Sequence, residues 1–242
     1  MEAHDDDCHP CAGVWPTRGA LWNDARMSIY ALKPRFQALL RPAVRALHGL
    51  GVTANQVTVF ACAVSLALGL WLYLDALAPV AFLLLPLWLF LRMALNAVDG
   101  MLAREFGQQS RLGAYLNELT DVIADAALAL PFASVAAGVS GVLPFAPVWV
   151  AAFAVLAGLS EFAGALGPTV GATRRYDGPM GKSDRAFVLG ALALWVGLAG
   201  ALPAWAAWIF PALCALIAWT IVRRVRAGLR EAAQGSAGTD AG

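Results

Sequence analysis

The chain has 242 residues, of which 60% are hydrophobic and 14% charged, and its mean hydropathy is +0.66. A soluble domain carries about 25% charge, so the composition excludes an ordinary soluble protein and points to an integral membrane one. The net charge of +1 gives no global basic field for a nucleic-acid partner.

Residues 1–26 are polar and open on an acidic run, MEAHDDDCHPC, without the charged n-region and apolar h-region of a signal peptide. They read as a disordered tail. His4, Cys8, His9 and Cys11 offer a metal-site alternative, because Cys8 and Cys11 have ligand-like spacing. The pattern turns protein-like at Met27, which makes that residue an alternative start. The other cysteines, Cys62 and Cys214, lie in apolar segments and read as small hydrophobes rather than as part of a disulfide framework. From Lys33 to His48 the sequence predicts an amphipathic helix. Phe36, Leu39, Leu40, Val44 and Leu47 form one stripe, and Arg35, Arg41 and Arg45 surround it, the pattern of a helix lying in the membrane interface.

Six apolar segments follow, near 55–76, 79–104, 112–136, 145–171, 184–202 and 204–223. A helix needs about 20 residues to cross a bilayer. The expected architecture is therefore an all-α integral membrane protein, with six transmembrane helices behind an amphipathic interfacial helix. The membrane domain spans 27–230, and 231–242 is a second disordered tail. Gly158, Gly164 and Gly167 let the fourth segment approach a neighbour closely. Internal packing is the reading taken, and a homodimer face is the alternative. With six crossings, the basic residues before the first span, at Arg104 and Arg111, at Arg174, Arg175, Lys182 and Arg185, and at Arg223–Arg230 all fall on one side. The positive-inside rule makes that side cytoplasmic, in a multi-pass cell-membrane protein with both termini and the site facing the cytoplasm.

The stretch Asn96 to Asp125 drops polar and acidic residues into this apolar background, and ionisable groups at membrane depth mark function by default. Treated as an antiparallel hairpin with a rise of 1.5 Å per residue, the second and third segments bring Asp99 and Asn117 to about 8 Å depth and Asn96 and Asp121 to about 12–14 Å. Asn96 and Asp99 share a helix face, as do Asn117 and Asp121. Converging carboxylates need protonation or a cation. Mg²⁺ takes oxygen ligands and binds with substrate phosphates completing its shell. Asp99-Gly100 and Gly113 leave room for a bulky ligand, and Arg104 at the mouth suits a phosphate. One turn deeper, Arg92 and Asp125 reach a common level and predict a structural ion pair, with Glu161 as an alternative partner. A proton relay through these three residues is the functional alternative. A small transporter built on them lacks the internal repeat that would support it.

These residues resemble those of the CDP-alcohol phosphotransferases, membrane enzymes of phospholipid synthesis. The family carries Asp-x2-Asp-Gly-x2-Ala-Arg-x8-Gly-x3-Asp-x3-Asp. This chain has Asn96, Asp99, Gly100, Ala103, Arg104, Gly113, Asn117 and Asp121 at the same spacings. Gly51-Val-Thr-Ala-Asn55 also looks like the family's entry to its first span. The resemblance covers residues 27–230 and implies an enzyme that binds a CDP-linked lipid donor such as CDP-diacylglycerol. An alcohol attacks the phosphoryl group and CMP leaves. It further implies a Mg²⁺ or Mn²⁺ cofactor ligated by Asp99 and Asp121, with Asn96 and Asn117 in the remaining ligand positions, and Asp121 as catalytic base. Asp99, Gly100, Ala103, Arg104 and Gly113 would contact the nucleotide and its pyrophosphate. The loop Met180 to Arg185 looks like an element near the acceptor pocket of some members. Lys182 and Arg185, with Arg174 and Arg175, would hold a phosphorylated alcohol or lipid head group, unless they are simple positive-inside charge.

Two departures stand against the pattern. Asn96 and Asn117 replace two of the family's four aspartates. An amide oxygen can ligate a hard cation but brings no charge, so one metal in place of two is an expectation, with Glu118 or Asp125 as compensating acids. Glu118 points about 100° away from Asn117 on a helix, which makes it the poorer of the two. A non-catalytic relative that binds nucleotide or head group as a membrane partner is the alternative to an enzyme. The acceptor stays open among glycerol phosphate, inositol phosphate, serine and other lipid alcohols.

Overall fold

A computed structural model describes residues 24–74, 79–137 and 146–239. The N-terminal stretch read as a disordered tail, with its His4, Cys8, His9 and Cys11, lies outside the described residues as far as residue 23. The described chain is all-α. Helices run over Asp24–Gly49 (α1), Ala54–Leu74 (α2), Leu84–Glu105 (α3), Arg111–Ala129 (α4), Pro131–Ala137 (α5), Ala146–Ala165 (α6), Lys182–Ala199 (α7) and Ile209–Thr239 (α8). Short 3₁₀ turns at Pro79–Leu83, Gly167–Val170 and Ala204–Trp208 join some of them. The described residues from 43 onward form one compact unit. The helix α8 continues to Thr239, past the boundary at 230 drawn from the sequence.

The expected six spans are corrected. Among the described residues, four helical stretches are long and apolar enough to cross a membrane: Ala54–Leu74, Pro79–Glu105, Pro147–Ala165 and Ala204–Gln234. The expected third segment fails because α4 places Arg111, Glu118, Asp121 and Asp125 within 19 residues, and a new helix begins at Pro131. The fifth fails because α7 has only 18 residues and carries Lys182, Asp184 and Arg185 in its first turn. The chain is a multi-pass membrane protein whose charged helices α4 and α7 are packed among its apolar ones.

The core explains how those charged helices are held. Leu72, Phe82, Leu85, Leu128, Phe132, Phe153, Val196 and Ile217 are almost completely buried in one cluster drawn from α2 through α8. Phe82 meets Phe132 edge-on at 5.6 Å, and Phe153 meets Phe210 in the same way at 5.6 Å, the geometry that the aromatic quadrupole favours. Extensive packing of α2 on both α3 and α4, and of α6 on both α4 and α8, fixes their relative positions. The expected hairpin is therefore modified: α3 and α4 each pack on α2 more closely than on each other, and they meet mainly through polar side chains. The small residues of α6 and of the 3₁₀ turn after it approach neighbouring segments of the chain closely. A side chain at Gly158 would press on Val122, and one at Gly164 or Gly167 would strike the backbone of Arg175 or Thr173.

Candidate active site

The connection between α3 and α4 is built to place the two motif helices. Ser110 caps α4, its Oγ accepting from the Gly113 N–H at 2.9 Å. This satisfies one of the donors that every helix start leaves over. Gln108 Oε1 accepts from the Ala54 N–H at 2.7 Å, which ties the connection to the start of α2. Gly113 carries no side chain, and a Cβ there would lie 2.8 Å from Asn55 Oδ1. At Gly100 a Cβ would lie 3.0 Å from the guanidinium of Arg104, so that side chain folds back along its own helix. Both glycines are thus positions of close approach, and Arg104 is exposed at the end of α3 while Ala103 is half-buried beside it.

Asp99 is buried and accepts a hydrogen bond from Thr58 Oγ1 on α2 at 2.8 Å. Asp121 on α4 and Lys182 on α7 both act electrostatically on Asp99. The Asp121 carboxylate is crowded. Its Oδ1 accepts from Arg92 Nη2 at 3.1 Å and from Asn96 Nδ2 at 3.4 Å, and its Oδ2 is paired with the Lys182 ammonium. Asn96 and Asp121 therefore meet across the two helices. Asp99 turns instead toward Thr58, and Asn117 is half-buried on α4 one turn before Asp121.

Behind this pair lies a layer of ions. Arg92 Nη1 donates to Asp125 Oδ1 at 2.6 Å. The other oxygen of Asp125 accepts from Arg185 Nη2 at 3.1 Å, and the same nitrogen reaches Glu161 Oε1 at 3.0 Å. Glu161 is shared with Arg224 at 3.5 Å and Arg174 at 3.9 Å rather than with Arg92. Arg174 is paired chiefly with Glu118, its Nη2 donating to Oε2 at 2.8 Å, and Arg174 also lies over the ring of Tyr176. Arg175 pairs with Asp177 at 2.8 Å and with Glu231. Buried ions persist when each finds a partner and their remaining donors are satisfied.

Residues of α8 position the loop that begins α7. The Met180 N–H donates to Thr220 Oγ1 at 3.1 Å, Arg224 Nε donates to the Asp177 carbonyl at 3.2 Å, and Arg224 Nη1 donates to the Ser160 carbonyl. Gly178 has φ of +117° with Thr220 packed against it, a conformation and a clearance that only glycine supplies without strain. Asp184 Oδ2 accepts from the Gly181 N–H at 2.9 Å and steadies the first turn of α7. Lys182 is thereby aimed at Asp121, and Arg185 is sealed 2% exposed between Asp125, Glu161 and Ser160.

The four cations that the sequence gives to the acceptor thus have carboxylate partners, and three of those partners, Glu118, Asp121 and Asp125, lie on the motif helix α4. Sequence reasoning missed Thr58, Ser160, Asp177, Thr220, Arg224 and Glu231. Thr58 was discoverable, because a hydroxyl one turn into the first apolar helix, beside an intramembrane aspartate, has few other uses. Among the described residues, no group of three or more His, Cys, Asp or Glu side chains is arranged to hold a metal.

The model of the CDP-alcohol phosphatidyltransferase family matches residues 51–219. The inner membrane protein YnbA of Escherichia coli K12 is 47% identical over 216 residues, covering 86% of this chain and 100% of that one. An archaetidylinositol phosphate synthase of Pyrococcus horikoshii is 30% identical over 97 residues, 40% of this chain and 49% of that protein. The crystal structure of Mycobacterium tuberculosis phosphatidylinositol phosphate synthase with CDP-DAG bound has a TM-score of 0.64 at 20% identity, covering 77% of this chain and 92% of that one. The same enzyme in complex with manganese and citrate has a TM-score of 0.63 at 20% identity, over 78% and 88% of the two chains. At that identity the likeness to the mycobacterial enzyme is one of fold. The family match covers most of the chain and contains the whole motif, in a membrane enzyme that passes a CDP-linked lipid group to an acceptor alcohol. The chain belongs to the CDP-alcohol phosphatidyltransferase family.

Proposed function

We propose that the donor is CDP-diacylglycerol, that its phosphatidyl group passes to an alcohol with release of CMP, and that the reaction takes place between the facing ends of α3 and α4. The observation carrying this reading is the meeting of Asn96 and Asp121 across the helices at 3.4 Å, with Asp99 one helical turn from Asn96 toward the mouth. Phosphoryl transfer needs positioning and charge neutralisation more than covalent help from the protein. Gly100, Ala103 and Gly113 give the nucleotide bare backbone to lie against, and Arg104 reaches its pyrophosphate. Asp121 takes the proton of the attacking hydroxyl, and Arg92 holds that carboxylate in place through Oδ1. Lys182 lies on Oδ2 and would leave it when a divalent ion binds there.

The donor set suits one divalent ion, Mg²⁺ or Mn²⁺. Asp99 and Asp121 bring two charges, Asn96 and Asn117 can add amide oxygens, and a hard cation takes such oxygen ligands together with those of a phosphate. When bound, the ion supplies charge neutralisation at the transferring phosphate. A manganese complex of the mycobacterial relative supports the choice of metal, and a CDP-DAG complex of the same protein supports the donor. The basic residues Arg35, Arg41 and Arg45 precede the first apolar helix, and Arg223, Arg224, Arg226 and Arg230 lie toward the end of the last. The positive-inside rule then puts the site and both termini in the cytoplasm, with α1 along the membrane interface.

The test is CMP release by purified protein in lipid nanodiscs with CDP-diacylglycerol, a panel of alcohols, and Mg²⁺, Mn²⁺ or EDTA. Release that requires a divalent ion and an alcohol is expected. A protein that binds CDP-diacylglycerol but releases no CMP under any of these conditions would be a binding relative rather than an enzyme.

A further inference from the structure

The acceptor side of the site contains many cations but little net positive charge. Lys182 is paired with Asp121, Arg185 with Asp125 and Glu161, Arg174 with Glu118 and Glu161, and Arg175 with Asp177 and Glu231. Including Arg92 and Arg224, six cationic side chains meet six carboxylates in this region. Asp99 adds a further acid. A divalent ion on Asp121 would free Lys182, but the three arginines would keep their partners. Arg185 is 2% exposed and cannot turn outward without breaking several hydrogen bonds.

A phosphate dianion entering here would need arginines already committed to acids, and would lie beside Glu118 and Glu161. Like charges in a partly desolvated site repel strongly. Hydroxyl groups face no such conflict, because each can donate to a carboxylate and accept from a guanidinium. The Nε atoms of Arg174 and Arg185 are buried and have no hydrogen-bond partner. Both guanidinia flank Glu161.

Building on the transfer reaction proposed above, we infer that the acceptor is an unphosphorylated alcohol, and that Glu118 and Glu161 set this preference by neutralising the cations that would otherwise bind a phosphate.

Matched acceptor pairs test this directly: glycerol against glycerol 3-phosphate, and myo-inositol against inositol 1-phosphate, each with CDP-diacylglycerol in nanodiscs. The unphosphorylated member should have at least a tenfold higher kcat/KM, and preference for the phosphorylated member overturns the inference while leaving the transfer reaction intact. Absence of CMP release with every acceptor counts against the transfer reading instead. A binding arm then decides the acceptor question by itself. Glycerol 3-phosphate is titrated into wild type and Glu118→Gln by calorimetry, and the variant, with Arg174 released, should bind at least tenfold more tightly. Equal, tight binding by both proteins also overturns the inference.

Discussion

Arg92 and Asp125 join α3 to α4 through a 2.6 Å hydrogen bond between Nη1 and Oδ1, and the Arg92 side chain is 5% exposed. The other guanidinium nitrogen, Nη2, holds Asp121 at 3.1 Å. One side chain thus connects the acid assigned to chemistry with the ion layer behind it. Arg92→Ala leaves two partly buried carboxylates without this partner, and breaking a buried pair from one side costs about 3–5 kcal/mol. Thermal unfolding in detergent should register that loss. Arg92→Lys should recover part of the stability but little turnover, because an ammonium cannot bridge two carboxylates as a planar fork does.

The Asn-for-Asp replacements predict an asymmetric response. In Asn96→Asp/Asn117→Asp the site regains two negative charges, one at Asn96, which meets Asp121, and one a helical turn before Asp121 on α4. The divalent-ion concentration for half-maximal CMP release should fall by about tenfold, a difference of about 1.4 kcal/mol. A titration of activity against Mn²⁺ measures it. An unchanged midpoint would mean that neither amide stands at the metal.

Gly178 controls the loop ahead of α7. With φ of +117° and Thr220 packed against it, Gly178→Ala should cost about 1–3 kcal/mol in backbone strain, with a steric contribution from Thr220 in addition. The variant should melt earlier and lose activity through misplacement of Lys182, visible as a raised KM for the alcohol before any change in donor binding.

The Arg175–Asp177 pair carries a pH dependence outside the membrane-spanning helices. The hydrogen bond from Arg175 holds the Asp177 carboxyl below its ordinary value of 3.8. A depressed folded value gives a stability contribution that is fully present above the ordinary carboxylate range and is lost as pH falls through the folded value. Amide exchange in the loop 171–181 should therefore accelerate as pH drops below about 4, after correction for intrinsic rates. Asp177→Asn should flatten the profile. The pair is partly exposed, so the effect should be small and should weaken further in high salt.

Much of this site was legible before any coordinates. Asn96, Asp99, Gly113 and Asp121 stand out because polar residues at helical spacing within apolar sequence have few structural uses. Arg92 and Asp125 could be matched by counting turns, since rise per residue is fixed. Helix-by-helix depth could not reveal what came from a third direction. Thr58 reaches Asp99 from α2, and Lys182 reaches Asp121 from α7. The same limitation misjudged the spans. Hydropathy alone accepted α4 and α7, although their charges are accommodated by pairing, Arg185 with Asp125 and Lys182 with Asp121 between the two helices, and Glu118 with Arg174 of the preceding loop. A loop cation's partner is set by tertiary packing, which is why Arg174, Arg175 and Arg185 looked available for an anion in the sequence.

The most direct measurement of the central claim is a structure of the protein bound to CDP-diacylglycerol and Mn²⁺, with the metal located by its anomalous scattering. The account predicts a single manganese ligated by both Asp99 and Asp121, under a pyrophosphate reached by Arg104, with Lys182 displaced from Asp121. Manganese absent from between the two aspartates, with Lys182 still on Asp121 and the pyrophosphate held elsewhere, would contradict it.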